Sequence, residues 1–319
     1  MGTHKIPRLA VVVPCFNEEA VLPETIKRFS AIFQDLINKK LISKDSFILF
    51  VDDGSIDRTW EIIKESAKEN PFIKGIKLSK NQGHQNALLA GMREVANKCD
   101  VMISIDADLQ QDPAAMEEML KKYQEGYEVV LGVRDSRDTD SFFKKFTAQA
   151  YYKIMQLMGV DIETNHADYR LLSNRALNYF LKFREKNIFI RGMVKLVGLK
   201  STKVIFKNAD RFAGESKYPL KKMLNFAWDG ITSFSLVPLK IITFIGFIIF
   251  LITIALSLYV LYSVFISGTA VPGWASTVLP MYFLGGIELL ALGIIGEYIG
   301  KIYIEVKDRP LYFIEERVD

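Results

Sequence analysis

Over the first 133 residues, short apolar runs alternate with longer stretches whose apolar positions recur every three or four residues. The runs Leu9–Val13, Phe47–Val51, Ile73–Leu78, Val101–Ile105 and Val129–Gly132 predict strands. The periodic stretches from Glu18 to about Asn38, Thr59 to Glu69, Gln85 to Asn97 and Ala114 to Gln124 predict helices. Apolar strands separated by amphipathic helices are the mark of a parallel sheet covered on both faces. Further on, the pattern predicts an aromatic and basic helix over Ser141–Met158, a strand over Asp168–Ser173 and a helix over Asn174–Arg184. No internal repeat or low-complexity segment interrupts it.

The pattern then changes scale. Leu220, Met223, Leu224, Ala227, Trp228, Ile231 and Phe234 recur at helical spacing, with Lys221, Lys222, Asn225 and Asp229 on other faces, which predicts an amphipathic helix at a membrane surface. Ile241–Ile266 carries no charge and Thr277–Ile299 is nearly as apolar. Crossing a bilayer core of ~30 Å takes about 20 residues, so both are expected to span. Lys217, Lys221, Lys222 and Lys240 precede the first span, and Lys301, Lys307 and Arg309 follow the second. The connecting loop, Ser267–Ser276, has no Lys or Arg and carries Trp274 as an interface anchor. The positive-inside rule therefore predicts a multi-pass protein of the plasma or inner membrane with both chain ends in the cytoplasm. Glu288, near the middle of the second span, is expected to face protein or water or to be protonated, and Gly293, Gly296 and Gly300 allow close helix packing. A homo-oligomer is expected, a tetramer among the states open to it.

Charge sharpens this division. Residues 1–133 carry 17 Lys and Arg against 20 Asp and Glu, whereas residues 170–222 carry 14 against 3. A basic stretch running into membrane segments points to an anionic lipid surface rather than to nucleic acid. Cys15 and Cys99 have no metal-ligand spacing and adjoin predicted strands, so buried free thiols in a reducing compartment are expected. Leu9–Val13, closed by Pro14, has the size of a strand and not of a signal peptide.

Acidic residues mark the strand ends. Asp106-Ala107-Asp108 follows the fourth strand. Side chains two apart in extended backbone share a face, so both carboxylates are expected at the edge where open α/β sheets bind ligands. Oxygen donors of this kind suit Mg²⁺ or Mn²⁺ held against a diphosphate. After the second strand, Asp52-Asp53-Gly54-Ser55-Ile56-Asp57 offers a tight turn at Gly54, a helix cap at Ser55 or Asp57, and a carboxylate for a base N–H or ribose hydroxyls. After the first strand, Pro14-Cys15-Phe16-Asn17-Glu18-Glu19 opens a helix, with Asn17 as its expected N-cap.

These blocks, in this order and along the whole chain, resemble the family 2 inverting glycosyltransferases of GT-A fold. Pro14-x-Phe16-Asn17-Glu18, Val51-Asp52-Asp53-Gly54-Ser55, Asn81-Gln82-Gly83 and Asp106-Ala107-Asp108-Leu109-Gln110 look like that family's successive blocks. Ala167-Asp168-Tyr169-Arg170-Leu171-Leu172 and Gly214-Glu215-Ser216-Lys217-Tyr218 are similar to its polyprenyl-phosphate branch, which includes dolichyl-phosphate mannose synthase and the bactoprenol glucosyltransferases. Gly296-Glu297-Tyr298 and Lys307-Asp308-Arg309-Pro310-Leu311-Tyr312 look most like the bactoprenol group.

The resemblance implies an α/β class fold: a Rossmann-like, mostly parallel GT-A catalytic domain over residues 1–218. An interfacial helix over 219–235, a two-helix transmembrane hairpin over 236–304 and a cytoplasmic tail over 305–319 would follow. It implies that Pro14, Phe16, Glu18, Asp53 and Asp106 hold the nucleotide and that Asp106, Asp108 and Gln110 surround the metal. Asp108, Asp168, Arg211 and Lys217 would serve catalysis, the last two approaching phosphates. Arg134, Arg137, Lys144 and Lys145 would meet the acceptor phosphate. Processive synthases of the family carry a Gln-x-x-Arg-Trp block that this chain lacks, which implies addition of a single sugar.

The implied reaction moves one sugar, glucose from UDP-glucose, onto undecaprenyl or another polyprenyl phosphate. Mannose, galactose and a modified pentose such as aminoarabinose remain open as the sugar. A phosphate monoester, with its second pKa near 6, is already largely dianionic at pH 7, so a general base is chemically optional. Asp168 is open to two roles, as a base or as a group that orients Arg170 or a basic phosphate ligand, and orientation is favoured. A membrane-anchored nucleotide-binding scaffold without turnover is the rival reading.

Overall fold

The computed structural model describes residues 6–135, 166–186, 189–206, 237–262 and 273–319. They fall into two compact units: residues 6–206 with 309–319, and residues 237–308. The expected helices over Ser141–Met158 and Leu220–Phe234 lie outside the described residues.

In the first unit the expected alternation holds. Strands β1 (Leu9–Cys15), β2 (Phe47–Asp52), β3 (Ile73–Leu78), β4 (Val101–Ser104) and β5 (Val129–Arg134) are separated by helices α1 (Leu22–Asn38), α2 (Thr59–Glu69), α3 (His84–Val95) and α4 (Ala115–Gln124). β6 (His166–Ser173), α5 (Asn174–Phe180), α6 (Ile190–Leu196), β7 (Ser201–Phe206) and, after the second unit, β8 (Ile314–Val318) complete it. All eight strands form one sheet in the order β7-β5-β6-β4-β1-β2-β3-β8. β6 runs antiparallel between β4 and β5, and β8 runs antiparallel to β3.

Every residue of β1 and β2 is buried, because helices cover both faces of the sheet centre. On one face Val11, Val13, Ile103, Tyr169 and Leu171 pack with Phe29 and Phe33 of α1 and Met116 and Met119 of α4. Each such side chain, fully buried, contributes about 1.5–3 kcal/mol. In β6 the alternation of side chains sends Tyr169 and Leu171 into this core and puts Asp168 and Arg170 on the opposite face.

The second unit contains α7 (Val237–Tyr262) and α8 (Trp274–Lys307). Among the described residues one stretch, Phe283–Lys307, is long and apolar enough to cross a membrane, and Val237–Ile249 is a shorter apolar one. Two spans were expected, so the described residues supply one of them. Phe244, Phe247, Leu251, Phe283, Leu290 and Ile299 are exposed, as is Glu288. Residues 309–319, expected as a tail, instead return to the sheet of the first unit as β8.

Candidate active site

The sheet parts between β1 and β4. Val12 is the last residue of β1 in register with β4, and its carbonyl accepts the N–H of Ile105. Two residues on, buried Pro14 turns its nitrogen to the same side, where it has no hydrogen to donate. On its other edge β1 stays paired to Cys15, whose carbonyl accepts the N–H of Asp53 at 2.9 Å. The chain runs outward from β1 through β2 to β3 and then crosses back to β4, so this gap is the switch point of the topology.

Four loops meet over it. In the first, the N–H groups of Asn17, Glu18 and Glu19 donate to Ser55 Oγ (3.0 Å), Thr59 Oγ1 (2.9 Å) and Asp57 Oδ2 (3.1 Å) of the second. In return, Asn17 Oδ1 accepts from the N–H of Ile56 at 3.0 Å. The expected N-cap role of Asn17 is thereby overturned: α1 begins at Leu22, next to Pro23, and Asn17 staples two loops at φ 54°. Ser55 does not cap α2 either; its hydroxyl bonds the buried Asp52 carboxylate, while Asp57 Oδ1 accepts from the N–H of Thr59. Phe16 stands exposed above the staple.

Asp53 is buried and its two oxygens accept the N–H groups of Gln82 (2.7 Å) and Gly83 (2.9 Å). Burial raises its pKa against the pull of those two bonds. In this structure the Asp53 carboxylate thus braces the third loop. Gly54, at φ +67°, lets the loops touch: a Cβ there would lie 2.6 Å from the carbonyl carbon of Lys80.

The braced loop delivers His84, at the start of α3, to the fourth loop. His84 Nε2 lies 2.9 Å from Asp106 Oδ1. Burial draws its pKa down, but the hydrogen bond and the charge of Asp106 outweigh that and raise it to about 8. Gln111, buried, donates from Nε2 to Asp106 Oδ2 at 2.6 Å and accepts the Asp106 N–H at 3.2 Å. Asp108 Oδ1 accepts the N–H of Gln110 at 3.1 Å. β4 has ended at Ser104, so Asp106 and Asp108 stand on a turn and not on a strand. Burial still alternates from Ile105 to Gln110: Ile105, Ala107 and Leu109 are buried, and Asp106, Asp108 and Gln110 are partly open. The two acids share a side as expected, though by turn geometry, with Leu109 at φ 58°. Among the described residues no three His, Cys, Asp or Glu side chains form a metal cage. Two open carboxylates suit a divalent ion whose remaining ligands are phosphate and water.

Next to these acids lies a buried ion group on β6. Asp168 is paired with Arg170, which is 0% exposed, and accepts from Arg191 Nη2 at 2.6 Å and Nε at 3.2 Å. Burial raises the Asp168 pKa, but the two guanidiniums overcome it and hold the carboxyl well below its ordinary range. A carboxylate held in this way is a poor general base, in keeping with an orienting role. Arg134 ends β5, half-buried and in register with Phe206. Arg137, Lys144, Lys145, Arg211 and Lys217 lie outside the described residues.

Three residues of this constellation were not singled out in the sequence: His84, Gln111 and Arg191. His84 directly follows the Asn81-Gln82-Gly83 block and Gln111 directly follows Gln110, so adjacency was a usable signal. Arg191 carried no local signal, because its partner Asp168 is 23 residues away.

Acids and bound loops thus gather at the switch point of a mostly parallel sheet, where open α/β folds take their ligands. Residues 10–187 match the glycosyl transferase family 2 model, and the chain belongs to that family. It is 48% identical over 309 residues to the uncharacterized glycosyltransferase YkoT of Bacillus subtilis, covering 97% of this chain and 91% of that one. It is 35% identical over 312 residues to the prophage bactoprenol glucosyl transferase homolog of Escherichia coli, covering 97% and 98%. The SfII prophage-derived bactoprenol glucosyl transferase of Shigella flexneri is likewise 35% identical, over 313 residues, with 97% and 98% covered. Glycosyl transfer is therefore the activity of this chain.

Proposed function

We propose that this glycosyltransferase moves glucose from UDP-glucose onto undecaprenyl phosphate or a similar polyprenyl phosphate at the cytoplasmic face of a membrane. The observation that carries the reading is the near-full-length likeness to bactoprenol glucosyl transferases, which takes in the long apolar helices as well as the sheet domain. A phosphate oxygen of the lipid bonds the anomeric carbon while the bond from that carbon to the diphosphate breaks. The electron pair leaves on the diphosphate, and the product is the inverted sugar on the lipid phosphate. Asp106 and Asp108, with Gln110 beside them, would hold Mg²⁺ or Mn²⁺, which when bound supplies positive charge against the leaving diphosphate. Gln111 and His84 orient Asp106 for that task.

Phe16, Glu18 and Asp53 support the nucleotide side, Phe16 through its exposed ring and Asp53 through the loop it braces. Pro14 contributes by opening the sheet. Arg134, Arg137, Lys144 and Lys145 are assigned to the acceptor phosphate, and Arg211 and Lys217 to catalysis at the phosphates.

Connectivity supports a membrane hairpin. The chain leaves the sheet after β7 and rejoins the same sheet as β8, so whatever lies between crosses a bilayer an even number of times. α7 has 26 residues and a single charge, Lys240, which suits it as the partner span of Phe283–Lys307. The hairpin's exposed apolar side chains would face lipid or further copies of the chain.

The test is incubation of the detergent-purified protein with undecaprenyl phosphate and a panel of labelled nucleotide sugars in Mg²⁺ or Mn²⁺. Labelled lipid from UDP-glucose is expected. Nucleotide binding with no lipid-linked product from any sugar would overturn the reading and leave a scaffold.

A further inference from the structure

One buried carboxylate, Asp168, holds two guanidiniums, Arg170 and Arg191, which differ in their access to solvent. Arg170 is fully buried and cannot meet a ligand. Arg191 can, since a third of its side chain is exposed. Its place is set from two directions. Asp168 grips its Nε and Nη2, and the N–H of neighbouring Ile190 donates to Gln85 Oε1 at 3.2 Å. Gln85 adjoins His84, whose ring touches Asp106, and both Asp168 and Arg191 are near enough to His84 to act on its charge.

We infer that Arg191 is a phosphate-binding residue of this site and that Asp168, backed by Arg170, is the positioning residue that aims it. This deepens the function proposed above and rests on it for the identity of the substrates. Guanidinium suits the task chemically: it keeps its charge beside a carboxylate, and its planar fork of five N–H donors serves Asp168 on one edge and a phosphate oxygen on another. A lysine would offer one point charge and could not do both with the same geometry. The phosphate belongs either to the nucleoside diphosphate or to the polyprenyl phosphate, and measurement separates the two.

Arg191→Gln leaves the buried Asp168–Arg170 pair in place, so the fold is expected to persist, and circular dichroism checks it. Arg191→Lys serves as a second variant that keeps the charge and loses the fork. With wild type and both variants, UDP binding is measured by calorimetry in Mg²⁺, and KM is measured for the nucleotide sugar and for polyprenyl phosphate. Loss of a charged hydrogen bond predicts a change of about tenfold or more in Arg191→Gln. A change in UDP affinity assigns the donor diphosphate, and a change confined to the lipid KM assigns the acceptor. Partial recovery of Arg191→Gly by added guanidinium is expected, which a purely structural role would not produce. UDP affinity and both KM values within twofold of wild type in Arg191→Gln, or in Arg191→Lys should the first variant not fold, would overturn the inference. If wild type binds UDP in an Arg191-dependent way yet makes no lipid-linked sugar, the inference stands and the proposed function fails.

Discussion

Single side chains in this site divide between those that present charge and those that hold backbone. Asp108 is of the first kind, so Asp108→Asn, which removes charge at nearly constant volume, should lower turnover by about 10²-fold or more with the fold intact. Chelation of divalent metal should silence wild type, and full activity of the variant in chelator would refute the metal assignment. Asp53 is of the second kind. Asp53→Asn keeps one carbonyl oxygen for two N–H groups, sets its NH2 donor against the other, and should cost about 1–3 kcal/mol in denaturant unfolding. Asp168→Asn strands the buried charge of Arg170, at a cost of about 3–5 kcal/mol. The depressed pKa of Asp168 gives this effect a pH signature. A carboxyl whose folded pKa lies below its unfolded value stabilises the fold above that unfolded value, near 3.9, and loses the contribution as pH falls through the folded one. The gap between wild type and variant should thus be flat from about pH 5 to 6, below the range in which neighbouring His84 titrates, and shrink below about pH 4. A gap that stays constant down to about pH 2 would refute this account.

Among the elements, β8 is the one whose role the hydrophobic pattern conceals. Only Ile314 and Val318 of its five residues are even partly buried, and Glu315, Glu316 and Arg317 read as a polar tail. Pairing with β3 uses backbone, and the side chains add charge matches: Trp60 Nε1 donates to Glu316 at 2.9 Å, Lys77 meets Glu315 at 3.2 Å and Lys74 meets Asp319 at 2.9 Å. Without β8, β3 would be a bare edge strand next to a hydrophobic sheet. Removing residues 311–319 should lower the unfolding midpoint by at least about 2–4 °C, equivalent to ~1 kcal/mol in a domain of this size, and promote association through the open edge. An unchanged midpoint would mean that the strand is only loosely laid on the sheet.

At the scale of the whole molecule, the proposed hairpin rests on the return of the chain to the same sheet as β8. Cysteines placed at Gly273 and at Lys307 should be labelled from opposite sides of the membrane by an impermeant reagent. The native thiols should stay silent, since Cys15 and Cys99 are buried and burial pushes both pKa values up, that of Cys99 to about 12. Labelling of both new cysteines from one side would rule out the hairpin. The basic excess between residues 170 and 222 belongs to this scale too. Neutralising Lys182 and Lys200 should weaken membrane docking mildly, by about 1 kcal/mol per charge, as added salt would.

What the order of residues determined alone was whatever depends on local repetition and on short blocks. The strands β1 to β5, the helices between them, the long apolar segments and the acids at the strand ends were legible, because burial on both faces forces apolar runs and turn chemistry forces Gly and Asp. The capping role of Asn17 was misread because its partner, the N–H of Ile56, lies 39 residues away. α6, β7 and β8 were missed because their stability comes from neighbours across the sheet rather than from their own period. Only the tertiary structure decided that Asp53 braces a loop, that His84 meets Asp106, and that Asp168 is clasped by two arginines. Each of these is a contact between distant parts of the chain, formed by how the sheet orders its strands, and no local pattern encodes that order.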